Sequence, residues 1–139
     1  MRFGAVPLAE AEGAVLAHSL ELDGRRLRKG RSLTASDVAA LMPAAVAIAL
    51  VARLDAGDLG EDPAAARIAS AMVPDPGAAH LRLTGASTGR VNVYATAPGV
   101  LVLDAGRIEA ANRVDPLITI ATLPPFARTG ARAMVATVK

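Results

Sequence analysis

Apolar residues fall into short runs bounded by Gly, Pro or Asp rather than into long periodic stretches. Near the start, Val6-Pro7-Leu8 leads into Ala9-Glu10-Ala11-Glu12, where Pro7 opens a short Ala/Glu-rich helix or turn that Gly13 ends. The apolar run at 14–20 then suits a buried strand. Asp23-Gly24 is a hairpin-type turn signal, and the basic run Arg25-Arg26-Leu27-Arg28-Lys29-Gly30-Arg31 reads as a loop or edge strand. Thr34 followed by Asp37 marks a helix start, since the hydroxyl accepts from an orphan amide and the acid favours the positive helix end. Val38, Leu41 and Met42 give that helix an apolar face, and Pro43 closes it within about one turn. Residues 46–52 are apolar on both faces, which predicts the central strand of a sheet.

An acidic, glycine-punctuated loop at 55–62 leads into Pro63, and Asp62 with Pro63 predicts an N-cap and first helical position for a helix over 64–73. Pro74-Asp75-Pro76-Gly77 reads as a linker, so the sequence divides into an α/β lobe at 1–76 with a strand-helix-strand core and a β-rich lobe at 77–139. In the second lobe, residues 81–83, 91–95, 100–103, 117–123 and 132–138 carry the alternation or β-branched content of strands. Asp104 is placed to cap one short helix through Ala111, anchored by Ile108. The pattern as a whole predicts an α+β fold of small mixed sheets with a few short helices, in two sub-lobes.

Composition narrows the chemistry. The chain has 139 residues, the size of one domain or two small lobes, and 32 of its apolar residues are alanine. With no cysteine there is no disulfide, thiolate zinc site or cysteine nucleophile, and the intracellular address is the easier reading. His18 and His80 stand 62 positions apart and form no local metal pair. The formal charge is only +2, with no Trp, one Tyr and two Phe, so nucleic acid gains little support as a partner. No run reaches the roughly 18 apolar residues of a membrane span, and the start lacks the charged-then-apolar pattern of a signal peptide. The expected setting is cytoplasmic, away from the membrane.

Four groups of residues offer chemistry, each with a plainer explanation beside it. Ser87-Thr88-Gly89-Arg90 presents two hydroxyls, a glycine and a guanidinium able to hold a phosphate or carboxylate bidentately. It lacks the Lys-Ser/Thr pair of a P-loop, and a turn between two strands explains it too. Asn92 follows on the same segment. The basic run, with Arg28 and Lys29, suits an anion clamp or a solvated loop. The acidic loop with Asp55, Asp58, Glu61 and Asp62 lacks EF-hand spacing, and helix capping accounts for it. Asn112-Arg113-Val114-Asp115-Pro116 fits a helix ending on Asn112 and a turn launching a strand. Neither histidine has a Ser or Asp in triad spacing, so no catalytic residue is assigned; Asp115 or Asp58 serves as base only if the chain is a small enzyme on a phosphorylated metabolite.

Taken as strings, residues 9–20 followed by 27–41 resemble the molybdopterin molybdenumtransferase family. The nearer likeness is to the amino-terminal region of bacterial molybdopterin-binding proteins fused to a nucleotidyltransferase domain. It rests on Leu27-Arg28-Lys29-Gly30, Asp58-Leu59-Gly60-Glu61-Asp62, Thr88-Gly89-Arg90-Val91-Asn92, Val114-Asp115-Pro116-Leu117-Ile118-Thr119 and Met134-Val135-Ala136-Thr137-Val138-Lys139. That resemblance implies a part in molybdenum cofactor biosynthesis, with a pterin phosphate and CTP as eventual ligands and molybdopterin as the cofactor handled rather than one held by this lobe. It also implies partner domains downstream in the same polypeptide, this chain being a non-catalytic binding or assembly lobe. Ser87, Arg90 and Asn92 are the expected anion or pterin contacts, with Arg28 and Lys29 second. The alternatives are a lobe of a cytidylyltransferase-type enzyme, of the cofactor or isoprenoid pathway, and a homo-oligomerising module that pairs through an apolar edge at 117–123.

Overall fold

The computed structural model describes residues 1–22, 25–44 and 46–139. The turn expected at Asp23-Gly24 lies outside the described residues. Two compact units divide at Leu59/Gly60.

The first unit opens with strand β1 (Arg2–Pro7), followed by a 3-10 turn at Leu8–Glu10 that Pro7 introduces, as its fixed φ suits. Two short strands come next, β2 (Val15–Leu16) and β3 (Leu20–Leu22), and then β4 (Arg25–Leu27), which pairs antiparallel with β3. Helix α1 (Ala35–Leu41) starts on the expected signal: Asp37 N donates to Thr34 Oγ1 at 3.2 Å and Thr34 N donates back to Asp37 Oδ2 at 3.1 Å, closing a capping box. Past it, Pro43 tightens the chain into a 3-10 turn at Met42–Ala44. Strand β5 (Ile48–Arg53) then runs between β1 and β2, the central position its apolar sequence predicts.

Only one face of β5 is sealed. Ala49 and Val51 are buried with Leu8, Leu16, Leu27, Leu33 and Leu41, whereas Ile48 is 63% exposed on the other face beside Leu50 and Ala52. The unit has one layer of cover on this sheet, not two. Strand β1 was not legible as a strand because its partner β5 stands more than 40 residues away, in register from Arg2↔Arg53 to Pro7↔Ile48.

Asp37 is the one buried charged side chain among the described residues, and it is fully satisfied. The Arg31 guanidinium grips it through two bonds of 2.9 and 3.0 Å, with Thr34 N and Oγ1 donating as well. Arg31 first, then the Thr34 amide, hold its carboxyl at about 2 against an ordinary 3.8. A depressed carboxyl stabilises the fold fully above its unfolded value and loses that contribution as pH falls through the folded one. Acid unfolding of the native chain is therefore expected to include a component between pH 3.8 and about 2. Asp37→Asn should be less stable than the native chain at pH 6, with the gap closing by about pH 2; a gap that persists at acid pH, measured by circular dichroism melts, overturns this assignment.

The second unit begins with helix α2 (Glu61–Met72). Its N-cap is Gly60 rather than Asp62, and Asp62 turns away to bond a distant amide, described below. Strands β6 (Leu81–Leu83), β7 (Val91–Ala95) and β8 (Gly99–Val100) follow, then helix α3 (Ala105–Asn112), capped by Asp104 Oδ1 accepting from Arg107 N at 3.0 Å. Strands β9 (Ile120–Thr122), β10 (Arg128–Thr129) and β11 (Met134–Val138) complete the chain. The main sheet has the order β6-β7-β11-β9, and β8 pairs with β10 in a two-stranded ribbon. Every described pairing is antiparallel, so the sheets are not mixed; the fold is α+β.

Helix α2 closes one face of the main sheet through Ala65 and Ala69, which pack with Val91, Ile120 and Val138. Val73, just past the helix, joins Val93, Ala95, Val135 and Ala136 in a second cluster. This packing is why the division falls at Leu59/Gly60 and not near residue 77: α2 has its hydrophobic partners in the later strands. The segment 74–80 is a turn within the second unit, with Ala78 N donating to Asp75 Oδ1 and Leu81 N to the Pro76 carbonyl. The expected strand at 100–103 shrinks to Gly99–Val100, and those at 117–123 and 132–138 shorten to Ile120–Thr122 and Met134–Val138.

Candidate functional site

Ser87, Thr88, Gly89 and Arg90 form the tight turn that joins the β6 and β7 arms. Ser87 N donates to the Arg90 carbonyl at 3.0 Å and Arg90 N to the Ser87 carbonyl at 3.1 Å. The central residues Thr88 and Gly89 have φ of 51° and 68°, the left-handed pair of a type I′ hairpin turn, whose twist matches the flanking strands. Glycine suits the second position. Threonine at the first is strained, and its hydroxyl donates to the Ser87 carbonyl at 2.7 Å.

A contact from α2 fixes the turn. Gly89 N donates to Asp62 Oδ1 at 2.6 Å, and Gly89 is buried against the Glu61 side chain. The acid that sequence alone assigns to capping its own helix instead satisfies an amide 27 residues away.

Beyond the turn, strand alternation sorts the side chains. Val91, Val93 and Ala95 face the core, so Asn92 and Tyr94 face the opposite way. Register sets Tyr94 opposite Arg82 on β6 and opposite Met134 on β11, and Asn92 opposite Thr137. Thr137 Oγ1 donates to Asn92 Oδ1 at 2.8 Å, which orients the Asn92 carboxamide, and Asn92 N donates to Thr84 Oγ1 at 3.0 Å. The Arg82 guanidinium lies 4.8 Å from the centroid of the Tyr94 ring, a cation–π pair on the open side of the sheet. Arg90 is exposed and has no ion-pair partner among the described residues.

Of the five expected contacts, Ser87, Arg90 and Asn92 thus share one hairpin. Arg28 and Lys29 sit in the first unit, in the turn after β4, with exposed side chains and the Lys29 amide donating to Ser19 Oγ at 3.1 Å. Arg82, Tyr94, Thr84 and Thr137 were missed by sequence reasoning. The alternation Leu81-Arg82-Leu83 and Val91-Asn92-Val93-Tyr94 carried the signal, but only the pairing brings the polar positions onto one face.

The acids considered as bases have other work. Asp58 and Asp55 bind the Met1 ammonium at 2.8 and 2.7 Å, and Asp58 Oδ2 also accepts from Asp55 N. The terminal ammonium, then that backbone bond, pull the Asp58 carboxyl below the usual range, and Asp55 and Asp58 raise the amine. Asp115 Oδ1 accepts from Leu117 N at 2.8 Å, shaping the turn into β9, where Asn112 also bonds both backbone groups of Ile120. His18 and His80 are exposed. Among the described residues there is no group of three or more His, Asp or Glu set to hold a metal ion, and no helix is long and apolar enough to cross a membrane. A shallow apolar groove in the first unit is lined by Pro7, Leu8, Ala9, Met42, Val46 and Ala47 and includes none of the candidate residues.

A family model described as a domain of unknown function (DUF8806) matches residues 5–44, less than a third of the chain and wholly within the first unit. No curated protein and no solved structure matches the chain.

Proposed function

We propose that this chain is the binding and assembly lobe of a molybdopterin-handling protein, acting in molybdenum cofactor biosynthesis by holding an anionic pterin ligand rather than transforming it. The observation that carries the reading is the fixed hairpin end: a type I′ turn, pinned by Asp62, that sets Ser87 and Arg90 side by side with Asn92 behind them. The turn fixes where the Arg90 side chain leaves the backbone, and its planar guanidinium fork suits bidentate recognition of a phosphate.

The strings behind the family resemblance add support by meeting in space. Asp62 of one bonds Gly89 of the next; Asn92 bonds Thr137 of the last; and Thr119 and Lys139 exchange two backbone bonds of 2.7 and 2.8 Å. Four separated phrases thereby form one hydrogen-bonded chain within the second unit. An alternative role in self-association through β9 is weakened by the strand's length, since three residues offer few ladder bonds and a short edge strand discourages pairing.

Titration calorimetry with a pterin monophosphate and with inorganic phosphate tests the reading. Arg90→Ala should lose about 1.5–3 kcal/mol of binding, on the order of ten- to a hundredfold in affinity. Unchanged affinity overturns the assignment.

A further inference from the structure

We propose that the open face of the β6-β7-β11-β9 sheet is a platform for one planar heterocycle carrying a phosphate, the ring lying over the Arg82–Tyr94 pair and the phosphate directed toward Arg90. The phosphate end rests on the anion reading of Arg90 given above; the ring end stands on its own observations.

Three of these point to the occupant. First, β7 is an inner strand, and its outward side chain Tyr94 is half-buried under the Arg82 guanidinium, 4.8 Å from the ring centroid. The guanidinium and the ring are both planar groups, and each is of a kind on which a heterocycle stacks. Second, the charged side chains on this face have one sign. The positions on this face are Arg82 and Thr84 on the β6 arm, Arg90 at the end of the turn, Asn92 and Tyr94 on β7, Met134 and Thr137 on β11, and Ala121 on β9. One step beyond the Val91↔Val138 pair, Lys139 stands next to Arg90. No acidic side chain occupies any of these positions; the one carboxylate at this end is the α-carboxylate of Lys139, and Glu61 and Asp62 reach the turn from the helix side. Third, Tyr94 lies four residues along the β7 arm from Arg90 at its turn end, about 13 Å by strand rise, with the oriented Asn92 carboxamide between them to bond a ring edge or a linking oxygen.

The same count limits the size of the ligand. Single-stranded nucleic acid is held by successive aromatics, one per base. This face has one aromatic ring, so it accommodates one base-sized ring and not a strand.

Tyr94 is the sole tyrosine and the chain has no tryptophan, so intrinsic fluorescence reports on this ring alone. Binding of CMP, 6-hydroxymethylpterin, its monophosphate, inorganic phosphate and a short oligocytidylate is measured by calorimetry, with tyrosine emission followed in parallel. The expected result is that the phosphorylated heterocycles quench Tyr94 and bind more tightly than inorganic phosphate. Tyr94→Ala should lower their affinity about tenfold, Tyr94→Phe should keep it, and the exposed Arg82→Gln, which leaves the core untouched, should cost about fivefold. Heterocycle phosphates that bind no better than inorganic phosphate and ignore Tyr94→Ala and Arg82→Gln overturn the platform while leaving the Arg90 reading intact. The pterin and its monophosphate binding equally well through Tyr94, with Arg90→Ala silent for the monophosphate, upholds the ring end and overturns the phosphate end. Oligocytidylate binding far above CMP overturns the single-ring occupant, and no binding by any probe overturns both readings.

Discussion

Replacing Gly89 with valine is expected to destabilise the second unit by about 2–4 kcal/mol, adding the cost of a left-handed β-branched residue to that of overpacking. Gly89 has φ of +68°, and a Cβ built there lies 3.2 Å from both Cβ and Oε2 of Glu61. Backing away from Glu61 also stretches the Gly89–Asp62 bond, leaving a buried amide underserved. Two controls divide the causes. Gly13 has a similar φ of +73° with open space around it, so Gly13→Ala isolates backbone strain; Gly85 has open space and no positive φ, so Gly85→Ala should be nearly silent. Urea melts of the three variants rank Gly89→Val worst. Equal midpoints for Gly89→Val and Gly85→Ala overturn the view of the turn as pinned by the helix.

Leu41→Ala is expected to cost about 2–5 kcal/mol, the range for removing three carbons from a well-packed site. Leu41 is fully buried at the end of α1, among Leu8, Leu16, Leu27 and Leu33. In a chain where alanine fills so many apolar positions, these few leucines carry most of the hydrocarbon that the first unit hides from water. Native-state hydrogen exchange reads the effect residue by residue: amides of β5 and α1 should lose protection. A loss below about 1 kcal/mol overturns the assignment of Leu41 to the centre of this core.

What was legible in the sequence was local. Thr34 and Asp37 are three residues apart, and their reciprocal bonds form as the spacing predicts. Asp104 caps α3 on the same logic, and the Ser-Thr-Gly-Arg turn needs only its own four residues. What was hidden depended on distant partners. Asp62 reads as a cap until Gly89 arrives from 27 residues on, and β1 is a strand because β5 pairs with it. The division at Leu59/Gly60 was hidden for the same reason, since Ala65 and Ala69 reveal nothing of the strands that receive them. The candidate site divides likewise. Ser87, Arg90 and Asn92 could be picked from one short phrase, whereas Arg82, Tyr94, Thr84 and Thr137 join them only through register.

The small side chains at the meeting of α2 and its sheet have a thermal consequence. Heat capacity rises on unfolding in proportion to the hydrocarbon newly wetted, and Ala65, Ala69, Ala95 and Ala136 contribute little of it compared with leucines in the same places. Each leucine that alanine replaces at this interface takes some curvature out of the stability curve, so the second unit's dome is broader than a leucine-packed interface of the same architecture would give.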